Sequence, residues 1–199
     1  MIIKLIHIFT FLLTLQCTYA DSAWAKLDHF KTQSKLIASF KIVNYDSDHQ
    51  IYDQQTGRFF YHPQYGSKWV AEDPYKQTTW INKKSVTIYD VPLNQVTIKR
   101  FTAVDYDLIA SLLSSDMKEI KKNYTTVSSS AKEIHLKPKS TTSTMNEIII
   151  NFNNQSIPIK VQVIDNIGYS FKMTLKPTGK EPIQSDFEIR YPKNVEIIQ

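Results

Sequence analysis

Between Glu147 and Leu175 the chain alternates apolar and polar side chains through three successive segments, and no other feature narrows the possible folds so much. Ile148, Ile150 and Phe152 share one side of the first segment. Ile157, Ile159, Val161 and Val163 share one side of the second, against Lys160 and Gln162. Tyr169, Phe171, Met173 and Leu175 do the same in the third, against Lys172 and Thr174. A period of two is the repeat of a pleated strand, because successive Cβ atoms point to opposite faces. Asn154-Gln155 and Asp165-Asn166-Ile167-Gly168 separate the segments, and links this short join antiparallel neighbours. The result is a meander with one apolar face, and that face must be covered.

The same pattern recurs upstream. Ile37–Tyr45 carries Phe40 and Ile42, and Tyr52 leads through Gln54-Gln55-Thr56-Gly57 into Phe59-Phe60-Tyr61. Further strands are expected over Lys68–Ala71, Gln77–Asn82, Ser85–Asp90, Gln95–Arg100, Asn123–Val127, Glu133–Lys137 and, last, Phe187–Tyr191. Glu72-Asp73-Pro74, Asn82-Lys83-Lys84 and Val91-Pro92-Leu93-Asn94 mark turns between them. About ten strands at this spacing, without βαβ alternation, make a mainly β, antiparallel fold. Three short helices interrupt it. One runs from Ser22 to about Lys35, capped by Asp21 or Ser22, with Trp24, Leu27 and Phe30 on one face. The second starts at Thr102 or Asp105 and aligns Leu108, Ile109, Leu112 and Leu113; the third starts at Ser115 or Asp116, with Met117 and Ile120. A long sheet with one apolar face rolls up, pairs with a second sheet, or takes helices as a cover. Helices laid over such a face leave an apolar space beneath them.

The first twenty residues read as a cleavable export signal. Lys4 lies in a short basic start, an apolar stretch covers Leu5–Leu15, and Thr18-Tyr19-Ala20 places small residues at −3 and −1 of a cleavage point. Residues 21–199 are then expected as a single exported domain. Cys17, the only cysteine, lies within the signal, so the mature domain is held together by burial rather than disulfides. The formal charge of +5 comes from scattered lysines, with short pairs such as Lys83-Lys84 and Lys121-Lys122, and gives no basic stripe for nucleic acid. His29, His49, His62 and His135 lack metal-ligand spacing, and "NYDSDHQ" lacks the Gly and terminal Glu of a calcium loop. No Ser sits in a Gly-x-Ser-x-Gly elbow, and Asp105 and Asp107 are explained as helix-capping carboxylates. Asn123-Tyr-Thr125 and Asn154-Gln-Ser156 match glycosylation sequons, a pattern frequent by chance. No catalytic constellation, metal or cofactor site emerges. The expectation is a binding protein that works through apolar shape.

The order of motifs carries a resemblance. "LDHF…LIASF" precedes "TGRFFYHP…KWVAEDPYKQ", followed by "IYDVPLNQVTIKRF", "DYDLIASLLSSD", "IHLKPK" and "FEIRYPKNVEII". In that order the mature chain resembles the periplasmic outer-membrane lipoprotein carriers of the LolA family along nearly its whole length. The resemblance implies an incomplete antiparallel β-barrel of ten to eleven strands under a lid of three short helices, with an apolar cavity between. It implies a monomeric periplasmic carrier, not an enzyme, that takes acylated lipoproteins from an inner-membrane ABC-type exporter to an outer-membrane receptor. Alternatives are the lipidated outer-membrane receptor of the same fold, or a periplasmic lipid-binding module. Cavity lining is expected from Phe40, Phe59, Tyr61, Trp69, Ile88, Ile98, Phe152, Val161 and Phe171. The lid is expected to use Trp24, Leu27, Phe30, Leu108, Leu112 and Leu113. Family members usually carry Arg-Pro and Phe-x-Trp where this chain has His62-Pro63 and Ser67 two residues before Trp69. The family's Arg is held to fasten the lid, which leaves His62 as the candidate here. His offers at most two donors and is charged only below about pH 6.5, a weaker fastening than Arg.

Overall fold

A computed structural model describes residues 18–100 and 117–198, with side chains from Ala23 onward. Two α-helices lie among them. Helix α1 spans Thr18–Gln33 and α2 spans Met117–Asn123. Twelve strands follow in one sheet: β1 (Leu36–Tyr45), β2 (Ile51–His62), β3 (Gly66–Asp73), β4 (Gln77–Ile81), β5 (Ser85–Asp90), β6 (Gln95–Arg100), β7 (Tyr124–Ser129), β8 (Glu133–Pro138), β9 (Met145–Phe152), β10 (Pro158–Asp165), β11 (Ser170–Pro177) and β12 (Glu196–Ile198).

The strand order is β12-β6-β5-β4-β3-β2-β1-β11-β10-β9-β8-β7, so two meanders join where β1 pairs with β11. Every pairing is antiparallel except β12 on β6, which is parallel. β7 and β12 end the order without pairing to each other, and the sheet stays open. The turns are built from the residues that signal them. Asn82 Oδ1 accepts from the Lys84 and Ser85 amides, and Asp90 Oδ1 accepts from Leu93. Gly57 sits at a register shift between β2 and β3, where a Cβ would lie 2.0 Å from the Val70 carbonyl oxygen. That approach admits no side chain.

Two expectations are corrected. Phe187–Tyr191 is not a strand: Gln184–Phe187 forms a 3₁₀ turn, and the strand lies further on at Glu196–Ile198. Pro182 and Pro192 bracket this segment, and the Lys68 ammonium donates to the Asp186 carbonyl at 2.8 Å. Tyr191 reaches Tyr89, with ring centroids 6.3 Å apart. The segment therefore crosses the sheet as a strap instead of extending it. The sheet holds twelve strands, more than the expected ten to eleven, and β12 takes the place of the expected strand at Phe187–Tyr191. The expected helix through Leu108, Leu112 and Leu113, and the export signal up to Cys17, lie outside the described residues.

One core occupies one face. Leu36, Ala38 and Phe40 of β1 join Phe59 and Tyr61 of β2, Ile134 and Leu136 of β8, Ile148 and Ile150 of β9, and Met173 and Leu175 of β11. Ala23, Leu27 and Phe30 of α1 and Ile120 of α2 belong to the same cluster, so both helices lie on this inner face. Burying one such large side chain contributes about 1.5–3 kcal/mol. The strap serves the other face, where Phe60, Trp80, Thr87 and Val96 are buried.

Candidate lipid-binding face

Opposed residues of antiparallel strands share a face, so the register sorts the candidate residues. Phe59 faces Trp69, Trp69 faces Thr79, and Thr79 faces Ile88. On the other side of β2, Phe59 faces Ala38 and Tyr61 faces Leu36; along β1, Phe40 then shares that side and faces Leu175. Asn44 faces Phe171, Val161 faces Met173 and Ile150, and Phe152 lies one alternation beyond Ile150. Eight of the nine expected lining residues are thus on one side. Their rings form a continuous group: Phe59–Trp69 at 4.3 Å, Phe40–Trp69 at 5.3 Å edge-on, and Phe59–Tyr61 at 6.4 Å. Ile98 is the ninth, and the register corrects it. It faces Thr87, which faces Trp80 and then Lys68, all on the strap side. In Gln95–Arg100 either alternation leaves apolar residues on one side, and only pairing decides which side is inner.

The α1 residues expected to form part of the lid pack on the sheet. Leu27 and Phe30 are buried against the inner face, and Trp24 packs beside them. The Trp24 Nε1–H donates to Thr126 Oγ1 at 3.0 Å, and Lys26 Nζ donates to the Asn153 carbonyl at 3.4 Å. Phe30 stacks on Tyr61 at 4.5 Å, and the Tyr61 hydroxyl donates to the Lys31 carbonyl at 2.9 Å. Tyr61 is buried, and that burial pushes its pKa far above the usual phenol value, so the hydroxyl keeps its proton. Leu108, Leu112 and Leu113 lie outside the described residues.

Among the described residues, the geometry turns the lid-fastening candidate His62 away from α1. It follows Tyr61 by one residue, so the pleat turns it to the opposite face. There it stacks on Tyr65 at 4.5 Å, lies 6.2 Å from the Phe187 ring, and accepts from the Gln64 amide at 3.1 Å. Burial first, then the nearby Lys35 charge, lowers its pKa and favours the neutral ring. Tyr61 makes the contact with the helix instead. Sequence reasoning counted Tyr61 only as a ring; the signal it offered is that a buried tyrosine hydroxyl needs an acceptor.

Two more polar groups on β3 went unnoticed in the sequence. Ser67 Oγ and Trp69 Nε1 are buried on the inner face and have no hydrogen-bond partner among the described residues. Leaving such donors unpaired costs about 1–3 kcal/mol each. On the opposite face, His135 bridges Glu133 at 2.7 Å and Glu147 at 3.2 Å, and Asn151 donates to the other Glu133 oxygen. Among the described residues no three His, Cys, Asp or Glu side chains are grouped to hold a metal.

Comparison with known proteins gives the same architecture a family. An outer-membrane lipoprotein carrier protein of Francisella tularensis is 25% identical over 203 residues, covering 98% of this chain and 96% of that protein. One from Pseudomonas fluorescens is 26% identical over 194 residues, covering 94% of each. Among solved structures, a LolA superfamily protein from Nitrosomonas europaea shares the fold with a TM-score of 0.53 at 12% identity, over 87% of this chain and 99% of that one. An uncharacterized conserved protein from Thermus thermophilus does so at 0.52 and 14%, over 90% and 98%. The family model described as outer membrane lipoprotein carrier protein LolA matches residues 31–190, from the end of α1 through the strap, and the chain belongs to that family.

Proposed function

We propose that the protein carries acylated lipoproteins across the periplasm, from an inner-membrane ABC-type exporter to an outer-membrane receptor, and catalyses no reaction. Cargo acyl chains lie between the inner face of the sheet and the helices over it, among Phe40, Phe59, Tyr61 and Trp69. The observation that carries this reading is the collection of eight expected lining residues on one face of an open sheet, under a helix fastened by Tyr61.

The energetics fit the task. Each buried methylene contributes about 0.8 kcal/mol, so a chain of about fifteen carbons carries on the order of 10 kcal/mol. A multiply acylated protein will not cross water unaided. A neutral hydrogen bond contributes only about 0.5–1.5 kcal/mol. A helix held by such bonds and by burial closes over an empty face, and yields to acyl chains that replace its apolar contacts. Ser67 Oγ–H and Trp69 Nε1–H supply donors for the ester carbonyls at the head of an acylated N-terminus.

The test is to purify the protein from its host's periplasm and identify what is bound to it. Intact lipoproteins are expected. Phospholipid alone, or an empty protein, overturns the reading.

A further inference from the structure

The antiparallel order sends five hairpin turns to the same end of the sheet: residues 90–95, 73–77, 45–51, 165–170 and 138–145. Contacts join several of these turns, among them an Asn166 Nδ2–H bond to the Ser143 carbonyl at 2.7 Å. The Val91 amide donates to the Lys76 carbonyl at 3.1 Å, and a Cβ on Gly168 would lie 3.5 Å from Ser47. This rim is the opposite end from that at which Lys26 of α1 reaches the Asn153 turn and Tyr61 reaches Lys31.

Seven of the twelve exposed large apolar side chains among the described residues stand on this rim. Ile167 is 72% exposed, Tyr75 69%, Leu93 67% and Tyr52 60%. Ile51 adjoins Tyr52, and the Tyr52 and Tyr169 rings meet edge-on at 6.0 Å. Turn chemistry explains Asp46, Asp90 and Asp165, whose carboxylates accept backbone amides of their own turns. It does not explain apolar residues at the tips, where polar side chains are the rule.

Charge decides what would cover them. The molecule is basic, at +5. Yet residues 45–53, 72–77, 90–95, 138–145 and 165–170 together hold seven carboxylates against two lysines, Lys76 and Lys139. Glu72 is paired with Arg58 at 2.8 Å. A negative rim is repelled by an anionic bilayer surface and by a second copy's identical rim, and it attracts cations. Exposed aromatic and aliphatic side chains ringed by charge are the composition of a protein–protein contact.

We infer that the rim formed by Ile51, Tyr52, Tyr75, Leu93, Ile167 and Tyr169 docks a partner protein whose contacting face has an apolar centre flanked by lysine or arginine. This surface is distinct from the inner face and goes beyond the carrier reading, since it specifies where the protein is held and not what it holds.

A photo-crosslinking residue placed in the host at Tyr75, Leu93 or Ile167, with Ile183 at the other end as control, tests it. The expected result is a discrete protein adduct from the three rim positions and not from the control. The linked partner peptide, read by mass spectrometry, contains Lys or Arg beside apolar residues. Replacing Asp48, Asp53 and Asp73 together by Lys lowers adduct yield at least tenfold, while the thermal melt and the bound cargo of the purified protein stay unchanged. Equal adducts from Ile183, linkage to lipid or to a second copy of this chain, an acidic partner segment, or a yield indifferent to the charge reversal would each overturn the inference. Loss of cargo in the unsubstituted protein would overturn the carrier reading instead, and leave the adduct pattern to be judged separately.

Discussion

Tyr61 shows how much one atom can decide. Its ring belongs to the inner aromatic group, stacked between Phe30 and Phe59, and any large apolar side chain would fill that volume. Its hydroxyl is what couples β2 to the last turn of α1 through the Lys31 carbonyl. Tyr61→Phe keeps the packing and removes that bond. It is expected to lower unfolding stability by about 0.5–1.5 kcal/mol in a urea titration. Uptake of a fluorescent fatty-acid probe should also become several-fold faster, because the helix yields more readily. An unchanged uptake rate would show that Tyr61 does not restrain the helix. The stretch "GRFFYHPQYGSKW" made its rings legible, but not the partner of the hydroxyl. Nor did it show that Tyr61 and His62 would part to opposite faces with Tyr61 on the helix side.

At the scale of elements, α1 and the strap are covers on opposite faces of one sheet, and each is held by a few residues. Leu27 is buried under α1, and Leu27→Ala is expected to cost about 2–5 kcal/mol, read as a lowered denaturation midpoint. The strap hangs on Lys68, whose ammonium lies 5.5 Å from the Phe60 ring and 5.8 Å from Trp80 while donating to Asp186. Lys68→Met retains the stem and removes the charge. The strap should then be cut by protease between Gln184 and Arg190 at a higher rate than in the wild type, with a stability loss of about 1–3 kcal/mol. Equal cleavage rates would mean that burial alone holds the strap. "FEIRY" reads as a strand because it alternates, yet Phe187 and Tyr191 touch the sheet while Ile189 stays exposed. Proline on both sides and a lysine reaching up from the sheet outweigh a five-residue pattern.

At the scale of the molecule, the open sheet depends on cross-strand pairs on both faces, and one of them titrates. Burial pulls the His135 pKa down, but its hydrogen bonds to Glu133 and Glu147 outweigh this and the net value is raised. Hydrogen bonds from His135 and Asn151 lower that of Glu133. A raised histidine contributes stability that is complete below its unfolded pKa and is lost as pH rises through the folded value. A lowered carboxylate contributes stability that is present above its unfolded pKa and is lost as pH falls through the folded value. The cluster therefore adds most between about pH 4.5 and pH 6.5, the interval between the unfolded values. The stability difference between wild type and His135→Gln, measured by urea unfolding at several pH values, should peak there and shrink towards pH 8. A difference independent of pH would show that His135 acts by packing alone.

The mainly β class, the antiparallel meanders, the turns and the inner-face alternation of β9, β10 and β11 followed from the sequence, because period-two burial and turn residues are local properties of the chain. Phe59, Tyr61 and Trp69 were legible as one group for the same reason. The face taken by Ile98, the strap at 184–191, the parallel edge strand β12 and the hydroxyl contact of Tyr61 were decided only by tertiary structure. Each depends on which distant segment arrives opposite, over separations of 30 residues for Tyr61 and Lys31 and 118 for Lys68 and Asp186. Hydrophobic periodicity sets how a strand divides into two sides, but only pairing with its neighbours decides which side is the inside.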